Sequence, residues 1–293
     1  MYANPATWCT IENMPWQILT AISVLTFSVS VLLRRVLLFH DKSDPIAYVI
    51  IFQGLVGILT GLYALVHGIH LPDFGKYWFA IAITTVLYAL AHIVSTKAFQ
   101  QLEASVFSVL FASSAIWTMI AGRFLFDDTI TLTQLAGVIL VFASVSVLVE
   151  RKGLKVDIGT LLGLLTGMLF GLATAGWTYV GRHADVPTWT ALSFLAPSLL
   201  VLAIRPGSVL KMKPFLSGKR LSRMALLGVI FSISSLASLF AYTRGNVNLV
   251  AALQQTSIIT TPLLAVAFLH ERERLWRKGV AAVVCCAAVI LIV

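Results

Sequence analysis

Apolar residues in this chain neither alternate at period two nor mark a narrow helical stripe. They run almost unbroken for 17 residues or more, ten times over, near 17 to 39, 46 to 67, 77 to 98, 104 to 126, 130 to 149, 158 to 181, 188 to 204, 221 to 242, 248 to 269 and 276 to 293. At about 1.5 Å per residue, a run of that length crosses the ~30 Å hydrocarbon core of a bilayer as an α-helix. Lipid offers backbone N–H and C=O groups no partner, so helix is the state these runs must take, and the missing alternation excludes a barrel. The pattern predicts an all-α polytopic membrane protein with ten transmembrane helices. Composition agrees: of 293 residues, 59% are hydrophobic and 11% charged, with a mean hydropathy of +0.93, far from the balance of soluble domains. Residues 1–15 lack the basic start and cleavage site of a signal peptide and read as a short retained tail.

The net charge is +9, and the placement of the cations decides what that means. If the spans thread alternately, one set of loops carries seventeen: Arg34, Arg35, Lys42, Lys97, Arg151, Lys152, Lys155, Arg205, Lys211, Lys213, Lys219, Arg220, Arg223, Arg272, Arg274, Arg277 and Lys278. The other set carries four, Lys76, Arg123, Arg182 and Arg244. This is the positive-inside bias, which puts the crowded loops in the cytoplasm and both termini on the extracytoplasmic side of a plasma (inner) membrane. Basicity here is topology, and no nucleic-acid partner is implied. The long loop at 205–224 is expected to rest on anionic headgroups. Cys9, Cys285 and Cys286 form neither a disulfide framework nor a metal-ligand spacing, so no metal and no cofactor are expected.

The two halves of the chain repeat one another. LTFS at 25–28 recurs as MLFG at 168–171, an offset of 143, and the turn FLFDDTITLTQLAG at 124–137 recurs as FLHERERLWRKG at 268–279, an offset of 144. Residues 16–150 form the first repeat and 151–293 the second, each with five spans. Five is odd, so the second repeat enters the membrane from the opposite face. The turn that keeps its cations is then the cytoplasmic one, and the turn that has lost them is the one that crosses.

Ten spans as a 5+5 inverted repeat, with LHERER at 269–274 before Gly279 and the degenerate FDD at 126–128 before Gly137, resemble the drug/metabolite transporter superfamily and its EamA-type permeases. The chain departs from the family pattern in having Pro262 in the ninth span and no proline in the fourth. It departs also in its charge bias, since many members are thought to keep both termini in the cytoplasm. The resemblance implies a secondary carrier with a central cavity built mainly from spans 1, 3, 4, 6, 8 and 9, and spans 5 and 10 at the periphery. It also implies amino acids or their analogues as the leading substrate class. A sugar-phosphate or organic-anion exchanger of the same superfamily is the alternative, with Lys97, Arg244 or Arg34 as phosphate ligands. A structural subunit or intramembrane enzyme is the remote one, since the spans offer one histidine and no acid.

All twelve carboxylates lie in loops or at span ends. A cation exporter coupled to protons needs a buried acid that would stand out in lipid, so the expected substrate is a small neutral, zwitterionic or anionic metabolite. The candidate binding residues are few. His92 shares a helical face with Tyr88 and Ser95. Gln254 and Gln255 head the most polar stretch in any span, followed by Pro262, which removes a backbone hydrogen bond. Trp117 lies deep in the fourth span beside Ser113 and Ser114. Tyr242 sits on a polar face with Ser235 and Ser238. Gly163, Gly167 and Gly171 read as a stripe for close helix approach, whereas Trp16, Trp78, Trp189 and Trp276 read as an interfacial belt. No catalytic residue is assigned, the lipid bilayer and the small-molecule substrate are the partners expected, and monomer or homodimer is left open.

Overall fold

The computed structural model describes residues 14–39, 41, 43–125, 131–133, 136–137, 139–140, 143, 157–245, 250, 253–254, 256–270 and 275–292, and among them every regular element is helical. The first half holds α1 (Trp16–Leu38), α2 (Pro45–His67), α3 (Phe74–Phe99), and α4 (Ala104–Phe111) and α5 (Ser114–Leu125), which are two pieces of one span. The second half holds α6 (Ile158–Gly181), α7 (Val186–Ile204), α8 (Gly218–Arg244), α9 (Ser257–Leu269) and α10 (Leu275–Ile292). Seven helices, counting α4 and α5 as one, are long and apolar enough to cross a membrane, and α9 and Gly279–Ala288 are shorter apolar helices. The chain is therefore an integral membrane protein. Most of the predicted fifth span falls outside the described residues, as does Gln255.

Helix starts explain where the acids went. Asp44 accepts the N–H groups of Ile46 (2.8 Å) and Ala47 (3.4 Å) ahead of α2, and Asp73 accepts that of Lys76 (3.1 Å) ahead of α3. Asp157 does the same for Thr160 (2.6 Å) and Asp185 for Thr188 (3.0 Å). A carboxylate at this position satisfies orphan donors and meets the positive end of the helix dipole. Four of the chain's acids are thus helix caps, which is why they sit at span ends.

The halves are interlocked rather than merely adjacent. α1 packs on α8 and α9, whereas α3 packs on α6 and α5 packs on α6; α2 packs on α7 and α4 on α9. Each of these pairs joins one repeat to the other. They come as symmetry mates: first span on eighth and third on sixth, first on ninth and fourth on sixth, with second on seventh and fourth on ninth lying on the axis. An inverted repeat threaded in this way explains the shared sequence pattern, because equivalent positions meet equivalent surroundings.

Two expectations need correction. Trp189 is not in an interfacial belt: it is buried, and its indole N–H donates to the Trp177 carbonyl at 2.9 Å. Its span begins with a cap and a proline and drives the ring inward against α6, whereas Trp78 and Trp276 are exposed on the apolar surface. Arg34 and Arg35 are not loop residues either. α1 continues through the apolar stretch after them to Leu38, and both side chains are buried.

At the end carrying these arginines, the 205–224 loop is anchored to the protein itself. Lys211 pairs with Asp44 at 2.8 Å and Arg220 with Asp41 at 3.3 Å, and Arg220 also donates to the Ser43 hydroxyl at 3.1 Å. Phe215 inserts edge-on against Tyr48, their ring centroids 5.7 Å apart. The two connections counted together by charge do lie together. Partial burial alone would raise the Asp44 carboxyl, but the Lys211 bond and the two capping N–H groups outweigh it and hold it below the usual carboxylate range. A depressed folded-state value stabilises the fold above the unfolded-state value, and that contribution disappears as pH falls through the lower, folded one. Apparent melting temperature in detergent is expected to drop across that acid window. Asp44→Ala should cost about 1 kcal/mol, mainly the cap, since the solvent-exposed Lys211 pair is screened; Asp44→Asn, which keeps a cap but not the charge, should cost less than Ala at neutral pH and flatten the drop across the acid window.

Candidate functional site

The fourth span breaks in its middle. Beyond Phe111 the chain tightens: the Ser113 N–H bonds to the Leu110 carbonyl (3.2 Å), that of Ala115 to Ala112 (3.1 Å) and that of Ile116 to Ser113 (3.1 Å), spacings of three rather than four. The ninth span does the same at the equivalent place in the second repeat, where the Thr256 N–H bonds to Leu253 (3.1 Å) and that of Ile259 to Thr256 (2.9 Å). Hydroxyls take part at both breaks, Ser113 donating to the Leu110 carbonyl at 2.8 Å and Thr256 to that of Leu253 at 2.6 Å. Interruptions of this kind re-satisfy backbone groups within the protein and mark binding regions in inverted-repeat carriers.

The glycine stripe of α6 lies against the break in the fourth span. A Cβ on Gly167 would meet the Ser113 hydroxyl, and one on Gly171 would meet the Ser114 carbonyl oxygen and the Trp117 Cβ at 2.7 Å. Thr118 donates to the Gly171 carbonyl at 3.1 Å, closing the contact with a polar bond. The Ser113 hydroxyl and the Trp117 Cβ therefore lie where the fourth span packs on the sixth, the close approach that the stripe predicts.

From this contact the aromatic core spreads. Phe111, the last residue of α4, lies 5.8 Å from Phe27 of α1 and 5.5 Å from Phe170 of α6, by ring centroids. Those two phenylalanines are the equivalent residues of LTFS and MLFG. Phe170 in turn meets Tyr88 of α3 at 6.0 Å, and Phe27 meets Phe231 of α8 at 6.5 Å; Tyr88 and Phe231 again occupy equivalent positions of the two repeats. A quasi-symmetric ring of aromatics thus surrounds the point where the halves join.

His92 and Arg34 break that symmetry. His92 is 2% exposed and is walled by Phe170 (4.9 Å), Phe52 of α2 (5.5 Å), Tyr88 (6.1 Å), Phe194 of α7 (6.1 Å) and Phe231 (6.5 Å). Its backbone carbonyl accepts from Ser95 and Thr96, while its Nε2 has no hydrogen-bond partner among the described residues. Arg34 is 5% exposed, with its guanidinium carbon 4.3 Å from the Phe52 ring centre and 4.6 Å from that of Phe231. Its Nε and Nη2 are likewise buried without a partner among the described residues, as are both amide atoms of Gln53. Two phenylalanine rings, Phe52 and Phe231, therefore face both His92 and Arg34.

Of the sequence candidates, His92 and Tyr88 come together. Tyr242 belongs with Tyr88 to one buried cluster. Gln254 reaches α8 instead, donating from Nε2 to the Ser238 hydroxyl at 2.7 Å, one helical turn from Tyr242. Lys97 and Arg244 stay exposed at the ends of α3 and α8, with Arg244 folded over Phe240, so of the three cations considered for phosphate only Arg34 enters the core. Gln53 carried a visible signal, a lone amide inside YVIIFQGLVG at 48–57.

The EamA-like transporter family model matches the chain twice, over residues 14–150 and again over 157–293. The chain belongs to the EamA-like transporter family. Each match covers one repeat, so the duplication read from the sequence and seen in the helix pairing is also the unit of the family. A solved structure titled only "Crystal structure of protein" has the same fold, with a TM-score of 0.70 at 14% identity over 94% of this chain and 95% of that one. No curated protein matches.

For this EamA-like chain the glycine contacts differ in what they touch, and that difference is measurable. Gly171 faces backbone and a Cβ, which cannot swing aside, whereas Gly163 faces the flexible Leu110 side chain. Gly171→Ala is expected to cost about 1–3 kcal/mol, the range of an overpacked core, and Gly163→Ala distinctly less. Melting temperatures of the purified variants, with Gly207→Ala as an unpacked control, would test the order.

Proposed function

We propose that this protein is a secondary transporter of small polar metabolites that works by alternating access, the two repeats rocking about the junction of spans 1, 3, 4, 6, 8 and 9. The observation that carries the reading is the pair of mid-span interruptions, one in each repeat at equivalent places, where α4 packs on α9 and the aromatic ring closes. Polar groups placed there at a cost in a membrane protein, His92, Arg34 and Gln53, are better explained by a polar solute than by packing. Amino acids or their analogues remain the leading substrate class on family grounds, with both export and exchange open to such a carrier. Tyr88, His92, Tyr242 and Gln254 are the proposed contacts, and Gln255 joins them as a sequence candidate.

Gln254 gives the sharpest test because its hydrogen bond has a partner that can be removed separately. An interhelical bond of this type contributes about 0.6–2 kcal/mol. If Gln254 were only a tie between the ninth span and α8, Ser238→Ala would do as much harm as Gln254→Ala. The transport reading expects Gln254→Ala to lower counterflow in proteoliposomes at least tenfold, with Ser238→Ala within about threefold of wild type and both inserted normally. Counterflow is to be measured with labelled amino acids, nucleosides, polyamines and sugar phosphates. No flux of any of them above protein-free liposomes would overturn the proposal.

A further inference from the structure

The Arg34 guanidinium has two different edges. One is formed by Nε–H and Nη2, parallel donors spaced to match the two oxygens of a carboxylate; this is the edge used in bidentate Arg–carboxylate pairs. Both atoms of that edge are the ones buried without a partner among the described residues. Phe52 and Phe231, whose own ring centroids are 5.0 Å apart, turn toward one side of the group at 4.3 and 4.6 Å, with Phe99 farther off at 5.9 Å. Ring faces offset part of the cost of burying the cation, but they satisfy no N–H. The guanidinium is thus flanked by aromatic rings while its recognition edge is left without a hydrogen-bond partner among the described residues.

Symmetry strengthens the point. The position equivalent to Arg34 in the second repeat is Trp177, whose indole N–H is satisfied by the Ser193 hydroxyl at 3.1 Å. In one repeat this position is closed by a neutral hydrogen bond, and in the other it carries an unpaired positive charge. Arg35 does not duplicate the charge, since its guanidinium lies against the Phe39 ring, and no carboxylate of the described residues pairs with Arg34. One isolated fork, rather than a cluster of cations, suits a single negative charge.

We infer that Arg34 is the carboxylate receptor of the carrier. It binds a substrate monocarboxylate through its Nε–Nη2 edge, with Phe52, Phe231 and the His92 ring against the body of the molecule. This rests on the transport reading above and narrows it to organic acids and zwitterionic amino acids, excluding amines without an acid group and disfavouring phosphate esters.

The experiment compares matched acids and amides on the wild-type protein in detergent: acetate with acetamide, phenylacetate with phenylacetamide, L-phenylalanine with L-phenylalaninamide, and phenyl phosphate beside them. A ligand that binds the folded state raises the apparent melting temperature. At least one acid should do so saturably, with its amide and phenyl phosphate inert at the same concentration. Arg34→Lys, which keeps the charge and loses the fork, and Arg34→Gln should each raise the half-saturating concentration of that acid at least tenfold. Stabilisation by none of the acids, equal stabilisation by acid and amide, or an unchanged response in Arg34→Lys would overturn the inference. The wild-type comparison decides it even if both variants fail to fold. Counterflow separates the two proposals: flux of neutral or basic solutes that no acid inhibits would sink the carboxylate site and leave a transporter, whereas absence of all flux would sink the transporter.

Discussion

Helices in lipid gain little from the hydrophobic effect when they associate, so they depend on close approach and on a few polar bonds. In this protein that constraint is met above all where α6 lays Gly163, Gly167 and Gly171 against the broken fourth span. The contact lets the α6 backbone come down on Ser114 and Trp117, and it brings Phe170 within reach of Phe111, Tyr88 and His92. With larger side chains in the stripe the sixth span would stand off, and the aromatic ring at the junction would not close. The sequence of the stripe, the break in the opposing helix and the aromatic junction beside it are one structural fact.

Duplication then supplies the second copy of the arrangement, and divergence makes it useful. Phe27 and Phe170, like Tyr88 and Phe231, keep the ancestral pairing across the axis. Arg34 opposite Trp177, and His92 opposite Ser235 at the same offset, do not. A symmetric aromatic shell with an asymmetric pair of polar groups gives an environment that excludes water on all sides while presenting charge from one. An ion pair or hydrogen bond formed there is stronger than at the surface because the local dielectric is low.

Much of this was legible in the sequence, for a physical reason: in a membrane, length and polarity of a run fix its state. The helical class and the acids at span ends follow from that rule, and the caps at Asp44, Asp73, Asp157 and Asp185 give its local mechanism. The burial of Arg34, named from the sequence only as a possible phosphate ligand, escaped because a cation near the end of an apolar run ordinarily snorkels out; only the apolar stretch after Arg35 hints that the helix continues past it. Trp189 escaped because burial of an indole depends on which helix crosses in front of it. Those are tertiary facts, and a linear pattern does not carry them. Gln53 was visible as an anomaly, though its neighbours were not.

The bonds between the halves differ with depth, and this bears on motion. Across the core they are single and neutral: Ser28 with Thr260 at 2.6 Å, Ser234 to the Ser23 carbonyl at 3.1 Å, Ser198 to the Ile50 carbonyl at 2.9 Å, Thr118 to the Gly171 carbonyl at 3.1 Å. Each is of the kind that contributes about 1 kcal/mol or less in a bilayer and finds another partner after a small slide. At one end the halves are joined instead by charge, Lys211 to Asp44 and Arg220 to Asp41. A hydroxyl-to-carbonyl interface can shift register without stranding a charge, and the ionic contacts, whose cations already lie in the open, are screened and specify the register of the loop more than they add stability. The two repeats are thus joined by single neutral bonds along their length and by charge-specified contacts at the end where the 205–224 loop folds back.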